Sequence, residues 1–230
     1  MRAIVAIGGG EMHLGQTRPI DEYIVSLSDR LSPRLLFLPT ASHDSPAYIR
    51  TVAEAFGALG CQLDTLCLWD SDAPEESLRR RILESDIIYV GGGDTDAMLR
   101  LWRARGVDSA LQEAWEKGVV LSGLSAGAIC WFHRGLTDRE VEGHAQPAWC
   151  DGLGLIPYCV GPHYDEPFWT AFDAFMAGAD RPGIALENNV ALAVVDGRMT
   201  VLRAQPERRA WVLYPQAGGI CKRPYEGGFL

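Results

Sequence analysis

The stretch Val119-Val120-Leu121-Ser122-Gly123-Leu124-Ser125-Ala126-Gly127-Ala128 decides the fold, because a short apolar run ends abruptly in a Gly-x-Ser-x-Gly pentapeptide. Such a run is typical of a buried strand, and the residues after the pentapeptide can continue as a helix. Its two glycines bracket the turn, where larger side chains would collide with the strand or the helix. The pattern predicts a nucleophile elbow that projects Ser125 beyond the end of a sheet. The alternative is a glycine-rich turn with an incidental serine.

Apolar runs alternate with helical patterns before the elbow. Strands are predicted at residues 2–7, 34–38, 62–69 and 86–90, and helices at 19–31, 45–59, 74–84, 96–103 and 107–117. This alternation predicts an α/β fold with a mostly parallel central sheet covered by helices on both faces. In such sheets ligands bind beyond the carboxyl ends of the strands, which is where Ser125 is expected.

Two triple-glycine loops follow predicted strands. Gly8-Gly9-Gly10 matches a dinucleotide-binding fingerprint only in part, because the third glycine of that motif would fall at His13. Gly91-Gly92-Gly93 follows a buried strand and opens a helix, so its N–H groups are expected beside the elbow. No Gly-Lys-Ser/Thr follows either loop, which excludes a Walker loop.

The pattern loosens after the elbow. Residues 134–154 show little periodicity and are expected to form an irregular excursion. A helix is predicted at 168–176, and strands at 158–161, 183–186, 190–195, 199–203 and 211–213. The late strands are expected to form an antiparallel C-terminal flank on the sheet.

Length and composition limit the classes of protein to consider. A chain of 230 residues without a composition shift is expected to form a single α/β domain, 1–230. The formal net charge of −9 disfavours nucleic acids and anionic membranes as partners. Six cysteines without a CxxC pair, and no signal-like or long apolar segment, predict a cytoplasmic protein without disulfides or a metal site. No cofactor is expected, and the protein is expected to be a monomer or a homodimer.

A serine nucleophile needs a base, and five histidines are available. His163 is the first choice, because it follows a predicted strand on a Pro-flanked turn and can face the same sheet edge as Ser125. His133 is the rival, but a helix continuing from the elbow would carry it away from that edge. A carboxylate should hold the imidazole, and Asp138, Glu140 and Glu142 are the candidates between nucleophile and base.

Four stretches together resemble the peptidase E (aspartyl dipeptidase) and cyanophycinase family of serine peptidases, whose fold is similar to class I glutamine amidotransferases. They are Val90-Gly91-Gly92-Gly93-Asp94-Thr95, Gly123-Leu124-Ser125-Ala126-Gly127-Ala128, Gly161-Pro162-His163-Tyr164 and Ala185-Leu186-Glu187-Asn188-Asn189. The resemblance implies Ser125 as nucleophile, His163 as base and an oxyanion hole from N–H groups at Gly92 or Gly93 and at Ala126. It also implies an acid a little over a dozen residues after the serine, for which Glu140 is the first choice. The nearest branch has an acid where this chain has His133.

The resemblance further implies hydrolysis of short peptides by a dipeptidase. Peptidase E removes an N-terminal aspartate, which implies an arginine after the histidine, but Arg181 is the first one here. Asp94, Asp165 and Glu187 are therefore kept as candidate substrate-binding residues, and Glu166 is a further carboxylate that could bind a peptide's α-amino group. A relative that binds a peptide or an amino acid without turnover is the alternative function. A cysteine-dependent amidotransferase-like enzyme is excluded at the elbow, since serine holds the nucleophile position.

Overall fold

A computed structural model describes residues 1–230. The strands are β1 (Ala3–Ile7), β2 (Arg34–Leu38), β3 (Gln62–Thr65), β4 (Ile87–Val90), β5 (Val120–Leu124), β6 (Phe132–Val141), β7 (His144–Asp151), β8 (Ile156–Gly161), β9 (Gly183–Leu186), β10 (Val190–Val195), β11 (Arg198–Arg203), β12 (Ala210–Gln216), β13 (Gly219–Tyr225) and β14 (Gly227–Phe229). The helices are α1 (Arg18–Ser26), α2 (Pro46–Gly57), α3 (Glu75–Leu83), α4 (Thr95–Ala104), α5 (Val107–Glu116), α6 (Ala126–Ile129) and α7 (Phe172–Met176). Short 3-10 helices lie at Met12–Leu14, Thr40–Ser42 and Pro167–Ala171.

The larger sheet has eight strands in the order β14-β11-β10-β1-β5-β4-β2-β3. The five strands from β1 to β3 in that order are parallel, and β10, β11 and β14 continue the sheet antiparallel. The prediction of a mostly parallel central sheet with an antiparallel C-terminal flank is confirmed. The elbow strand β5 lies at its centre, between β1 and β4.

Helices cover both faces of this sheet, as predicted. Along β1, Ile4 and Ala6 belong to one buried cluster, whereas Val5 and Ile7 belong to another. The first cluster takes apolar residues from α3, α4 and α5, and the second from α1 and α2. Because β1 is apolar on both faces, its sequence is a continuous hydrophobic run rather than an alternating one.

A second sheet was not predicted. It has six strands in the order β13-β12-β9-β8-β6-β7, so β12 belongs here and not to the flank of the larger sheet. The expectation of an irregular excursion at 134–154 is wrong, because β6 and β7 form a hairpin with paired residues from Arg134↔Asp151 to Val141↔His144. The outer half of β6 is exposed, which explains the missing hydrophobic alternation.

The helix after the elbow is shorter than predicted. It is the single turn of α6, after which β6 begins at Phe132. His133 therefore lies in a strand of the second sheet and not on a helix that continues from Ser125. No helix in the structure has the length and apolar character needed to cross a bilayer.

Candidate active site

Ser125 occupies a strained turn between β5 and α6. Its backbone has φ 57° and ψ −111°, a conformation that costs a non-glycine residue about 1–3 kcal/mol. Its N–H donates to the carbonyl of Ile7 on the neighbouring strand, at 3.0 Å. A Cβ at Gly123 would lie 2.4 Å from the Gly127 carbonyl oxygen, and one at Gly127 would lie 2.2 Å from that of Val90. Both glycines of the pentapeptide are therefore required by close backbone contacts.

His163 lies beside Ser125, immediately after β8. Its Nε2 is 2.8 Å from the Oγ of Ser125, within hydrogen-bond distance. The backbone of His163 has φ 49°, and its N–H donates to the Gly8 carbonyl at 3.1 Å. The ring of Trp169 lies against the imidazole, with 5.3 Å between ring centroids. The loop after β1 therefore holds the backbone of His163, and Trp169 packs against its imidazole ring.

The first triple-glycine loop makes room for the histidine. A Cβ at Gly9 would lie 2.3 Å from His163 Nδ1 and 2.1 Å from Asn188 Oδ1. The Gly9 carbonyl accepts from the N–H of Asn189 at 2.9 Å. Only a glycine lets the chain pass at this distance beneath the two side chains.

Asn188 and Glu166 lie beside Nδ1 of the imidazole, whereas Nε2 faces Ser125. The Oδ1 of Asn188 is 2.8 Å from His163 Nδ1, and its Nδ2 donates to Glu166 Oε1 at 2.8 Å. Glu166 Oε1 itself is 3.6 Å from Nδ1. When Nδ1 carries the proton and donates to Asn188, Nε2 is left to accept from Ser125. This arrangement gives the tautomer that a general base requires.

Asp165 fixes the position of Asn188. One oxygen of Asp165 accepts from the backbone N–H of Asn188 at 2.7 Å, and the other pairs with Arg208. These contacts hold the pKa of Asp165 below its ordinary value against the opposing effect of burial, which is the largest single influence. Asp165 therefore supports the loop that carries Asn188 and is not a free carboxylate.

Glu140, the predicted partner of His163, is not hydrogen bonded to the imidazole. Glu140 lies in the exposed outer half of β6, and none of Asp138, Glu140 and Glu142 hydrogen bonds to His163. All three residues lie in the exposed β6–β7 hairpin. Asp138 and Glu140 instead line a groove that also contains Ser125 and His163.

Two glycine-loop amides and the first amide of α6 lie near the nucleophile. The ideal Cβ position of Gly92 is 3.3 Å from the Cβ of Ser125, so this loop lies directly against the elbow. The Gly92 N–H donates to the hydroxyl of Tyr48 at 3.3 Å. The N–H groups of Gly93 and Ala126 donate to no protein acceptor. Amides without a protein acceptor are the kind of donor that an oxyanion hole uses.

The remaining predicted substrate-binding residues have internal contacts. Asp94 caps α4, since its side chain accepts from the Ala97 N–H at 2.9 Å, although it also lines the groove with Glu140. Glu187 accepts from the Arg209 N–H at 2.9 Å and from Trp211 Nε1 at 3.1 Å. Glu187 lines neither of the cavities that contain Ser125.

Two adjoining cavities meet at Ser125, His163 and Glu166. The first, of about 490 Å³, is also lined by Glu11, Tyr48, Asn189 and Arg208, among others. The second, of about 630 Å³, is lined by Asp94, Asp138, Glu140 and Trp169, among others, and has no lysine or arginine. A substrate bound across Ser125 would meet a mixed polar cavity on one side and an acidic groove on the other.

Sequence reasoning missed Asn188 and Tyr48, and it considered Glu166 only as a carboxylate for a peptide's α-amino group. Glu166 and Asn188 were not assigned roles beside His163, and Tyr48 was not singled out. Glu166 follows His163 by three residues, and Asn188 lies in the stretch Ala185-Leu186-Glu187-Asn188-Asn189. The sequence therefore shows both residues but not their contacts with the imidazole.

Known proteins resemble this chain in sequence and in fold. A family model described as peptidase family S51 matches residues 4–202. The uncharacterized peptidase YgaJ of Bacillus subtilis is 43% identical over 167 residues, which cover 72% of this chain and 70% of that protein. A peptidase E of Streptomyces coelicolor is 29% identical over 134 residues, 58% of this chain and 52% of its own length. The crystal structure of a peptidase from an acI-B1 Actinobacterium has a TM-score of 0.74 at 18% identity, covering 100% of this chain and 97% of that one, which shows a common fold.

Proposed function

Because this chain belongs to peptidase family S51 and is a serine peptidase, we propose that it hydrolyses short peptides through Ser125, His163 and Asn188. The family match also confirms the resemblance to peptidase E found in the sequence. The observation that carries the proposal is the distance of 2.8 Å between Ser125 Oγ and His163 Nε2 at a strained elbow.

The proposed reaction has two halves. Ser125 Oγ attacks the peptide carbonyl carbon while His163 Nε2 takes its proton, and the carbonyl electron pair moves to oxygen. The amides of Gly93 and Ala126 stabilise that oxyanion. When the tetrahedral intermediate collapses, the C–N bond breaks and His163 returns the proton to the leaving amine. Water then attacks the acyl-enzyme by the same route and releases the acid.

Asn188 and Glu166 share the two roles that one carboxylate has as the third member of a catalytic triad. In a Ser-His-Asp triad one carboxylate both fixes the histidine tautomer and stabilises the imidazolium. Here the neutral carboxamide of Asn188 accepts from Nδ1 at 2.8 Å, while the charge sits on Glu166 at 3.6 Å. The carboxamide sets the geometry, and the carboxylate stabilises the positive charge that forms when Ser125 loses its proton.

The size and charge of the site support short peptides as substrates. Cavities of about 490 and 630 Å³ flank the nucleophile, within the range of ordinary small-molecule sites. The acidic groove offers the carboxylates of Asp94, Asp138 and Glu140 to a peptide's α-amino group. These features favour a dipeptidase over an enzyme that cleaves within long chains.

Arg208 is the candidate for a preference for N-terminal aspartate. It is the one arginine among the residues that line the cavity beside Ser125. Its guanidinium pairs with Asp165, so a substrate carboxylate would share it with that residue.

We further propose that residues 1–230 form a single domain. The largest buried cluster includes Ile88 and Leu121 from the larger sheet and Ile184 and Val212 from the second sheet. A shared core of this kind favours cooperative folding of both sheets.

The test uses a fluorophosphonate, which reacts with an activated serine, and a library of dipeptides. Wild-type protein is expected to be labelled at Ser125 and to hydrolyse some dipeptides, whereas Ser125→Ala loses both activities and keeps the melting temperature. Ser122→Ala is the matched control, because Ser122 lies on the same strand and its hydroxyl donates to the Ile88 carbonyl. Hydrolysis that persists in purified Ser125→Ala would contradict the proposal, and labelling without turnover of any dipeptide would favour a binding protein.

A further inference from the structure

Tyr48 presents a hydroxyl proton that the protein does not use. Its Oη accepts a hydrogen bond from the Gly92 N–H at 3.3 Å, and no protein group accepts from that hydroxyl. A phenol has one proton to donate as well as lone pairs to accept with. Tyr48 also lines the cavity that contains Ser125, His163 and Gly92. The unused donor therefore belongs to the cavity in which a substrate carbonyl would lie.

The ring of Tyr48 is held in a fixed place. It packs edge-on against Phe37, with 5.4 Å between ring centroids. A Cβ at Gly91 would lie 2.8 Å from the ring atom Cε1, so the glycine loop closes over the ring. At the start of α2, Ser45 Oγ accepts from the Tyr48 N–H at 3.5 Å. Packing on several sides gives the preorganisation that an oxyanion donor needs.

The hydrogen bond to Tyr48 occupies the N–H of Gly92. Gly92 lies against Ser125, as an oxyanion-hole residue should, but its N–H is directed to Tyr48. An N–H that donates to a hydroxyl polarises the O–H bond and strengthens it as a donor. Through this hydrogen bond, the Gly92 amide can strengthen the hydrogen bond that the Tyr48 hydroxyl donates to a substrate oxygen.

We propose that Tyr48 is a catalytic residue whose hydroxyl donates to the oxyanion formed when Ser125 attacks, with Gly92 N–H supporting it from behind. The inference rests on the proposed function and adds a side-chain donor to the backbone amides. Tyr48 makes and breaks no covalent bond in this role. Burial raises the pKa of Tyr48 to about 12, so the phenol keeps its proton at any pH suited to peptide hydrolysis.

The test compares Tyr48→Phe with Tyr89→Phe. Tyr89 belongs to the same aromatic group, since its ring centroid lies 6.1 Å from that of Phe37, but its hydroxyl is buried without a partner and lines neither cavity at Ser125. Both variants keep the ring, and melting temperatures establish that both are folded. The readouts are the second-order rate of fluorophosphonate labelling at Ser125, and kcat and KM for a dipeptide that the library identifies.

Tyr48→Phe is expected to slow labelling and lower kcat by about 100-fold, the usual effect of losing one oxyanion donor, with KM within about two-fold. Tyr89→Phe is expected to match the wild type. If Tyr48 only occupies the Gly92 amide, its removal frees that N–H, and labelling becomes as fast as in the wild type or faster, which would overturn the inference. Wild-type protein that is neither labelled nor active would remove the proposed function as well, so the two failures are distinguishable.

Discussion

The charge of Glu166 is expected to accelerate catalysis without contacting the substrate. Glu166→Gln is the appropriate change, because glutamine keeps the size of the side chain and an oxygen that can accept from Asn188 Nδ2, now 2.8 Å from Glu166 Oε1. What it removes is the negative charge 3.6 Å from His163 Nδ1. The imidazolium formed in the transition state then loses a stabilising neighbour, whereas the neutral imidazole of the resting enzyme is little affected.

The expected magnitude follows from this distance and from exposure. Unit charges at this separation interact by about 1 kcal/mol in bulk water and about 5 kcal/mol at an effective dielectric constant of 20. The Glu166 side chain is 50% exposed, so solvent screens the pair and the lower part of that range applies. A loss of about 1–2 kcal/mol in transition-state stabilisation corresponds to a rate about 5–30-fold lower.

The assay is the rate of Ser125 labelling by a fluorophosphonate, followed by intact-mass spectrometry, at pH 7.5 and at two salt concentrations. Glu140→Gln is the matched control, because it makes the same change in charge in the adjoining groove without a hydrogen bond to His163. Glu166→Gln should label more slowly and Glu140→Gln at nearly the wild-type rate. The opposite ranking would refute the assignment of Glu166 and restore Glu140 as the acid that acts on His163.

The remaining predictions concern the steric space beside His163 and the buried carboxyl group of Asp21. Gly9→Ala is expected to lower Ser125 labelling by about 100-fold or more and the free energy of unfolding by about 1–3 kcal/mol, because its Cβ would lie 2.3 Å from His163 Nδ1. Gly57→Ala, where a Cβ meets nothing within 4 Å at the end of α2, should leave labelling unchanged, and equal effects of the two alanines would contradict the steric argument. Burial raises the pKa of Asp21 from 3.8 to about 7, so the folded state binds this proton more tightly than the unfolded state. The free energy of unfolding should therefore fall between about pH 4 and pH 7, by up to about 4 kcal/mol. The free energy of unfolding of Asp21→Asn, measured by urea titration, should lack this fall between pH 4 and pH 7. The same pH dependence in Asp21→Asn as in the wild type would refute the role of Asp21.

Most of the larger sheet could be predicted from sequence, because its signals are local. Strand β2 was predicted with its observed bounds, Arg34–Leu38, from a short apolar run between polar residues. The glycines of the elbow marked a sharp turn because no larger residue fits there. The second sheet was missed where its signal is weak, since the outer half of β6 is exposed and carries no alternation.

At the site, the sequence by itself determined a serine on a sharp strand-to-helix turn and a histidine just beyond another strand, because both signals depend on nearby residues. The expectation that both strands belong to one sheet is wrong, since β5 lies in the larger sheet and β8 in the second sheet. Only the tertiary structure decided what holds the histidine. The loops after β1, β8 and β9 bring Gly9, Glu166 and Asn188 around one imidazole. A hydrogen bond needs its two atoms within about 3 Å of each other, and that proximity arises from the packing of strands distant along the chain, so no local pattern in the sequence encodes it.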